Sequence, residues 1–205
     1  ILGLLCLVTF FSFIGDEAEF PKPVSKRLVD AFQNKCFTDK KQFRFRNVDE
    51  SLPMYNGSKI ALSFGGGIDS SSVRKMFPEA YIVHEAHIRD GKLVPSHCHT
   101  VVNNIGENGR LVQTNMRYLS RPGGWHSWPC SASTSLLLAT DLDFGIILTG
   151  SILGSCFLSN GVRFWNRIEA RAWHGPTGNY WQSAFDAIGL PMFSPVTGVS
   201  EFQTM

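Results

Sequence analysis

The residues with the clearest chemical potential form a glycine-rich string, SFGGGIDSSS, at positions 63–72. Glycines let the backbone approach an anion closely, and the first turn of a helix offers free N–H groups at the positive end of the helix dipole. The string follows a strand-like run and precedes a segment with helical character. Its composition and its place in the chain therefore predict a loop that binds phosphate groups.

The spacing within this string excludes two common nucleotide-binding motifs. No Gly-Lys-Ser/Thr follows, as a Walker A loop requires, and the string lacks G-x-G-x-x-G spacing with an acidic residue about 20 positions later. An aspartate beside a polyphosphate requires a cation between them, so Asp69 is expected to contact Mg²⁺. The hydroxyl of Ser70 can donate to a phosphate oxygen. The alternative is an ordinary strand-to-helix turn in which Asp69 or Ser70 caps the helix.

The stretch GGGIDS at positions 65–70 resembles the S-G-G-x-D-S fingerprint of the PP-loop ATP pyrophosphatases, within the adenine nucleotide alpha-hydrolase-like (HUP) superfamily. Gly65 replaces the first serine of that fingerprint. In that family the loop holds the phosphates of ATP, and the reaction adenylates a carbonyl oxygen and releases pyrophosphate. The resemblance implies ATP and Mg²⁺ as cofactors, catalytic roles for Asp69 and Ser70, and Asp69 as the magnesium ligand. It implies ATP binding by Ser63, Gly65, Gly66, Gly67, Asp69, Ser70, Ser71, Thr149 and Gly150.

A second match to the family lies at the end of a later strand. Family members carry a Gly there, often in a Thr-Gly or Ser-Gly pair, and Thr149-Gly150 reproduces the pair. Family versions frequently continue with acidic residues, whereas positions 151–155 read SILGS. A second acidic metal contact therefore has no nearby candidate, and Glu201 is only a distant one.

Hydrophobic periodicity predicts strands alternating with helices from residue 58 onwards. Apolar strands separated by helices imply a parallel sheet covered on both faces. We therefore expect an α/β fold, a Rossmann-like three-layer sandwich with a parallel central sheet, of the HUP type if the resemblance holds. Ligands of such sheets lie at the carboxyl ends of the strands, where both motifs fall. The predicted strands are Ser58–Phe64, Ala80–His87, Gly109–Leu119 and Phe144–Thr149, and the predicted helices are Ser70–Phe77 and Ser131–Thr140, the latter with a serine N-cap.

The flanking regions define two predicted domains, an N-terminal extension at 1–50 and the nucleotide-binding domain at 51–205. Residues 1–14 are almost wholly apolar but shorter than the roughly 20 residues that a spanning helix needs. A buried core strand or helix is the leading interpretation, and a signal or anchor segment is the alternative. Because the sequence starts at Ile1 and stops without a helix-end or turn signal, it is expected to be a fragment, truncated at the C-terminus.

Composition narrows the class of protein and its partners. The chain has 205 residues, 43% hydrophobic and 18% charged, which is typical of a globular protein. The net charge of +2 does not indicate nucleic-acid binding, and we expect no DNA partner. Residues 21–50 are locally basic, which favours a solvated helix and strand or a surface for a phosphate-bearing partner such as tRNA. Five cysteines without a C-x-x-C pair fit a reducing cytoplasm.

Two further clusters offer alternative chemistry. His84, His87 and the run His97-Cys98-His99 contain zinc-ligand types, but their spacing fits no standard zinc pattern. His84 and His87 lie three positions apart, so they point to opposite faces of a strand. Ordinary polar ends of a strand and a loop are the preferred interpretation.

The loop RPGGWHSWPC at positions 121–130 follows the third predicted strand and is expected at the active edge of the sheet. Trp125 and His126 are candidates for an acceptor-substrate pocket, with His126 able to act as an acid or base. A loop anchored by buried tryptophans is the alternative. Cys130 is a weaker candidate nucleophile because no neighbouring base can be placed from the sequence.

The expected function is ATP-dependent adenylation, in which ATP is converted to AMP and pyrophosphate. A carbonyl oxygen is activated for attack by a nitrogen or sulfur nucleophile, as in a small-molecule ligase or amidotransferase. A tRNA-modifying PP-loop enzyme and a non-catalytic ATP-binding sensor are the alternatives.

Overall fold

A computed structural model describes residues 1–10, 17–36, 44–115, 128–150 and 180–198. The helices in these ranges are α1 (Leu2–Phe10), α2 (Lys26–Cys36), α3 (Ile68–Met76), α4 (His97–Asn103), α5 (Trp128–Leu142) and α6 (Tyr180–Ala187), with a 3-10 helix at Gly106–Asn108. The strands are β1 (Glu17–Ser25), β2 (Arg44–Asp49), β3 (Lys59–Ser63), β4 (Tyr81–Arg89), β5 (Lys92–Leu93), β6 (Gly109–Thr114), β7 (Phe144–Leu148) and β8 (Met192–Phe193).

The main sheet is mixed, with mostly parallel strands. β3 lies at its centre, where Ala61 pairs with Tyr81 of β4 on one side and with Ile147 of β7 on the other. From β3 the chain proceeds outward through β4 to β6, and later through β7 to β8 on the opposite side, all parallel. β5 departs from the expected parallel arrangement because a hairpin turn folds it back antiparallel to β4. The direction of strand order therefore reverses between β3 and β7.

Two core clusters lie on the two faces of this sheet. Adjacent residues of a strand point to opposite faces, and on β3 Ala61 packs in one cluster while Leu62 packs in the other. The Ala61 cluster includes Leu136 of α5, and the Leu62 cluster includes Val73 of α3 and Val102 of α4. Helices therefore pack against both faces, α5 on one and α3 with α4 on the other.

The N-terminal segments contribute to the core on the α5 side. Leu4 of α1 and Phe32 of α2 are fully buried in the same cluster as Ala61. α1 packs against α5 and α2 against α6, while β1 and β2 form a separate parallel pair. The apolar start of the chain thus forms a core helix, as the leading interpretation predicted. None of the helices in the described ranges combines the length and apolar character needed to cross a membrane.

Every strand and helix end of the βαβ unit from β3 to β4 lies within two residues of the sequence prediction, but other elements differ. α5 begins at Trp128 rather than after a serine cap, so Ser131 lies inside the helix. Proline is well tolerated at position 129, near the helix start, because it lacks an N–H and the first N–H groups of a helix have no internal partner. The third strand ends at Thr114, and positions 116–119 of that prediction lie outside the described residues. Periodicity did not predict α4 or β8.

Candidate functional site

The glycine-rich loop lies at the carboxyl edge of the sheet, between β3 and α3. The N–H of Phe64 still donates to the carbonyl of Val83 at 2.8 Å, so the sheet pairing continues to the residue before the loop. The loop then leads into α3 at Ile68. This position adjoins the reversal of strand order between β3 and β7, which is where open α/β sheets bind ligands.

The backbone of the loop passes through the left-handed region at its central residue. Gly66 adopts a left-handed conformation with φ +75°, which side-chain-bearing residues rarely adopt. Gly67 is extended, with φ −77° and ψ 173°, and is the N-cap residue of α3. Neither Asp69 nor Ser70 therefore caps the helix, and no side chain from the cap residue covers its first N–H groups. An uncapped helix start of this kind offers donors to an anion.

The loop has one open side and one crowded side. A Cβ atom placed on Gly65 or on Gly67 would meet no atom within 4 Å, and both residues are exposed. A Cβ on Gly66 would overlap the Sγ of Cys98. Among the described residues, helix α4 closes one side of the loop, and no atom lies within that distance on the side of Gly65 and Gly67.

The hydroxyl group of Ser70 forms a hydrogen bond within the first turn of α3. Ser70 is 6% exposed, and its Oγ donates to the carbonyl of Gly67 at 3.1 Å. A phosphate that accepts from Ser70 must replace this local hydrogen bond. The N–H of Ser71 also donates to Gly67, at 3.0 Å, as the first regular helical bond. Asp69 lies in the same turn, half-buried.

The Thr149-Gly150 pair meets the start of α3, as the two motifs predicted. A Cβ on Gly150 would lie 2.5 Å from the backbone nitrogen of Ser70, so only a glycine lets β7 approach α3 this closely. The N–H of Thr149 donates to the carbonyl of Phe193 at 2.9 Å. Thr149 is 2% exposed, and its Oγ1 has no hydrogen-bond partner within the described ranges.

The side chain of Ser63 points away from the open side of the loop. Its Oγ lies 3.0 Å from the Oγ of Ser135 in α5, and both side chains are buried. The sequence assigned Ser63 to ATP binding, but the structure places its hydroxyl between the sheet and α5. Any contribution of Ser63 to the loop is therefore through the backbone of β3.

His84 supports the start of the loop from β4. Its Nδ1 lies 2.7 Å from the carbonyl of Phe64, and its ring packs edge-on against His99, with centroids 5.6 Å apart. Burial lowers the pKa of His84, the neighbouring His99 and His97 add to that effect, and the hydrogen bond to Phe64 opposes it. A neutral imidazole that donates from Nδ1 fits these contacts.

Helix α4 supplies the second contact to the loop. The Sγ of Cys98 donates to the carbonyl of Gly65 at 3.4 Å, and the Nε2 of His97 lies 3.4 Å from the carbonyl of Gly66. Spacing alone suggested only zinc ligands or loop residues at these two positions, because α4 was not predicted. Ser96 was the available signal, since its Oγ caps the helix by accepting from the N–H of Cys98.

The zinc alternative finds no support in the described part of the chain, where no group of three or more His, Cys, Asp or Glu side chains is arranged to hold a metal. His87 points to the opposite face of β4 from His84, as predicted. Its Nδ1 lies 3.4 Å from the Oε1 of Glu85.

Several basic residues of the N-terminal region are engaged within the protein. Lys26 pairs with Asp30 at 2.7 Å, and Arg46 pairs with Glu17. Arg27 donates to the backbone carbonyl of residue 52 at 2.7 Å. These contacts reduce the positive charge available to a nucleic-acid backbone.

The acceptor-pocket candidates Trp125 and His126 lie outside the described residues. Cys130 lies in the first turn of α5. A groove of about 840 Å³ opens at the other edge of the sheet, near the amino ends of β3, β4 and β6, and its lining includes Lys59, Glu79 and Arg110. None of the predicted site residues lines that groove.

Comparison of the chain with family models, with curated proteins and with solved structures gives no match.

Proposed function

We propose that this chain binds ATP with Mg²⁺ at residues 65–70 and is an ATP-dependent adenylating enzyme that releases pyrophosphate. The proposal includes a three-layer sandwich of the HUP type. The observation that carries it is the open glycine loop, which leads into an uncapped helix beside the reversal of strand order. Phosphate groups are the ligands that this combination of backbone donors and helix dipole favours.

The backbone does most of the proposed phosphate binding. No described side chain covers Gly65 and Gly67 on their side of the loop, which supports access of phosphate oxygens to main-chain N–H groups. Gly150 contributes by its small size, because it allows β7 to contact the first turn of α3. The hydroxyl of Ser70 is close enough to the loop to exchange its bond to Gly67 for one to a phosphate.

The residues present fit a magnesium ion of the kind that accompanies nucleotides. Mg²⁺ is commonly held by one or two carboxylates together with substrate phosphates and waters. Asp69, in the first turn of α3, supplies one carboxylate beside the loop. When bound there, the ion neutralises charge on the pyrophosphate leaving group.

The proposed reaction has two balanced steps. A carboxylate or amide oxygen of the acceptor attacks the α-phosphorus, the bond between that phosphorus and the bridging oxygen breaks, and pyrophosphate leaves with the electron pair. An amine nitrogen then attacks the adenylated carbonyl carbon, loses its proton, and AMP leaves. The contribution of this chain is to bind the polyphosphate and to orient the α-phosphorus, which lowers the entropic cost of the attack.

A small molecule is the proposed acceptor rather than tRNA. Lys26 and Arg46 are each paired with a carboxylate within the protein, which offsets part of the positive charge that would attract an RNA backbone. A non-catalytic ATP sensor is the second candidate. Gly65 in place of serine and the absence of acidic residues at 151–155 favour it.

The test incubates the protein with ATP labelled at the α-phosphate and Mg²⁺. One sample receives a filtered small-molecule extract, a second receives bulk tRNA, and a third receives no acceptor. Formation of AMP and pyrophosphate with the extract supports the proposed enzyme, and formation only with tRNA replaces the acceptor class. ATP that is bound but left intact in every sample identifies a sensor. Absence of ATP binding by calorimetry rejects the proposed function.

A further inference from the structure

The carbonyl groups of the loop are held by two consecutive side chains of α4. The Sγ of Cys98 donates to Gly65, and the Nε2 of His97 lies within 3.4 Å of the carbonyl of Gly66. The two side chains also contact each other, with Sγ and Nε2 3.5 Å apart. Two successive peptide groups of the loop are thus oriented from the same side.

Peptide geometry converts these contacts into a direction for the N–H groups. In a trans peptide the carbonyl and the N–H point in opposite directions. Because the carbonyls of Gly65 and Gly66 face α4, the N–H groups of Gly66 and Gly67 face away from it. Successive N–H groups that point to one side, around a left-handed residue such as Gly66, form a concave anion-binding arrangement.

We propose that Cys98, assisted by His97, is a positioning residue that orients the Gly66 and Gly67 amides towards the phosphates of the nucleotide. The inference rests on the proposed binding of ATP at this loop. The thiol must carry its proton to donate to Gly65, so a group that cannot donate at this position leaves that carbonyl free to rotate. Rotation of one peptide removes one amide from the phosphate site.

The surroundings of Cys98 suit this role. The residue is 1% exposed, and its N–H is held by the Oγ of Ser96 at 3.3 Å, so the start of α4 fixes the position of the thiol. The Sγ also occupies the space that a Cβ on Gly66 would need. His97 is exposed, so it can be replaced without opening the core.

The experiment compares wild type, Cys98→Ala and Cys98→Ser, with Cys6→Ala as the matched control. Cys6 is a free cysteine that packs near the core on the α5 side, away from the loop. Calorimetry measures the dissociation constants of Mg-ATP and of adenosine, which lacks phosphates, and thermal melting measures folding. A loss of one hydrogen bond predicts about fivefold weaker binding of Mg-ATP to Cys98→Ala. We expect unchanged adenosine binding, recovery in Cys98→Ser, and no effect in Cys6→Ala.

Equal Mg-ATP affinity in wild type and Cys98→Ala would overturn the positioning role while leaving the proposed function intact. An equal loss of ATP and adenosine binding would also overturn it, because a general packing defect does not distinguish phosphates. If Cys98→Ala does not fold, His97→Ala and His97→Gln decide instead. Weaker Mg-ATP binding in His97→Ala with recovery in His97→Gln supports the role, and equal affinity in both overturns it. Wild type that binds no ATP rejects the proposed function itself.

Discussion

Two turns that follow neighbouring strands contain a left-handed glycine, yet only one of them has the features of a binding site. Gly66 follows β3 with φ +75°, and Gly91 follows β4 with φ +73°. A Cβ on Gly66 would overlap Cys98, whereas a Cβ on Gly91 would meet no atom within 4 Å. The backbone conformation is nearly the same in the two turns, and their surroundings differ.

The difference shows what a left-handed glycine is needed for in each turn. Asp90 also has a positive φ, of 51°, and the Asp-Gly pair folds β5 back onto β4 as a tight hairpin. At Gly66 the chain instead enters a helix, and a second helix packs against the turn. The left-handed glycine of the loop therefore differs from that of the hairpin because a neighbouring helix contacts its peptide groups.

The largest expected effect comes from adding a methyl group at Gly66, and the same change at Gly91 is the control. Gly66→Ala introduces a Cβ that overlaps Cys98 in a conformation unfavourable for alanine, so we expect Mg-ATP affinity to fall more than about tenfold. Gly91→Ala adds only conformational strain of about 1 kcal/mol and should leave ATP affinity unchanged. Calorimetry and chemical denaturation of both variants make the comparison. Equal losses of ATP affinity in the two variants would remove the distinction between the turns.

Removing one negative charge from each turn distinguishes the proposed metal ligand, Asp69, from the hairpin residue Asp90. Asp69→Asn should weaken Mg-dependent ATP binding by more than about 1 kcal/mol, because a charged partner of the cation is lost. Asp90→Asn is the matched control, since asparagine also tolerates a positive φ, and it should leave binding unchanged. Titrations with and without Mg²⁺ measure the effect. An Asp69→Asn protein with the wild-type magnesium dependence would refute the metal role.

Introducing the first serine of the PP-loop fingerprint at position 65 should tighten ATP binding. Gly65 lies outside the left-handed region and has open space around its Cβ position, so Gly65→Ser is sterically permitted. One added hydrogen bond to a phosphate predicts about fivefold tighter ATP binding or faster pyrophosphate release. Gly91→Ser adds the same hydroxyl to the other turn and should not change ATP binding. No change in either quantity for Gly65→Ser would remove the main chemical support for aligning the loop with the fingerprint.

The smallest expected effect is on the pH dependence of the free energy of unfolding. Because burial lowers the pKa of His84, the unfolded chain takes up a proton more readily than the folded protein. Stability should therefore fall as the pH falls below about 6.5, the ordinary pKa of histidine, and should be flat above it. His84→Gln should flatten this slope in urea denaturation at pH 5 to 8, and His87→Gln is the control on the same strand. An unchanged slope in His84→Gln would assign the dependence to another group.

The local pattern of the sequence determined the elements that carry the loop. Short, largely apolar runs predicted β3, β4 and β7, because a strand of a parallel sheet covered by helices has both of its faces buried. Glycines followed by Asp69 and Ser70 predicted the turn into α3. These signals arise from interactions within a few residues, so a single sequence contains them.

The tertiary structure alone decided which side chains hold the loop. Cys98 and Gly65 are 33 positions apart, and His84 contacts the carbonyl of Phe64 across 20 positions. No local periodicity encodes such pairs, because they depend on how α4 and β4 pack around the end of β3. The orientation of Ser63 towards Ser135 was decided in the same way, by the face of the sheet that α5 covers. The sequence therefore determined where the glycine-rich loop would form, and packing decided which way its peptide groups point.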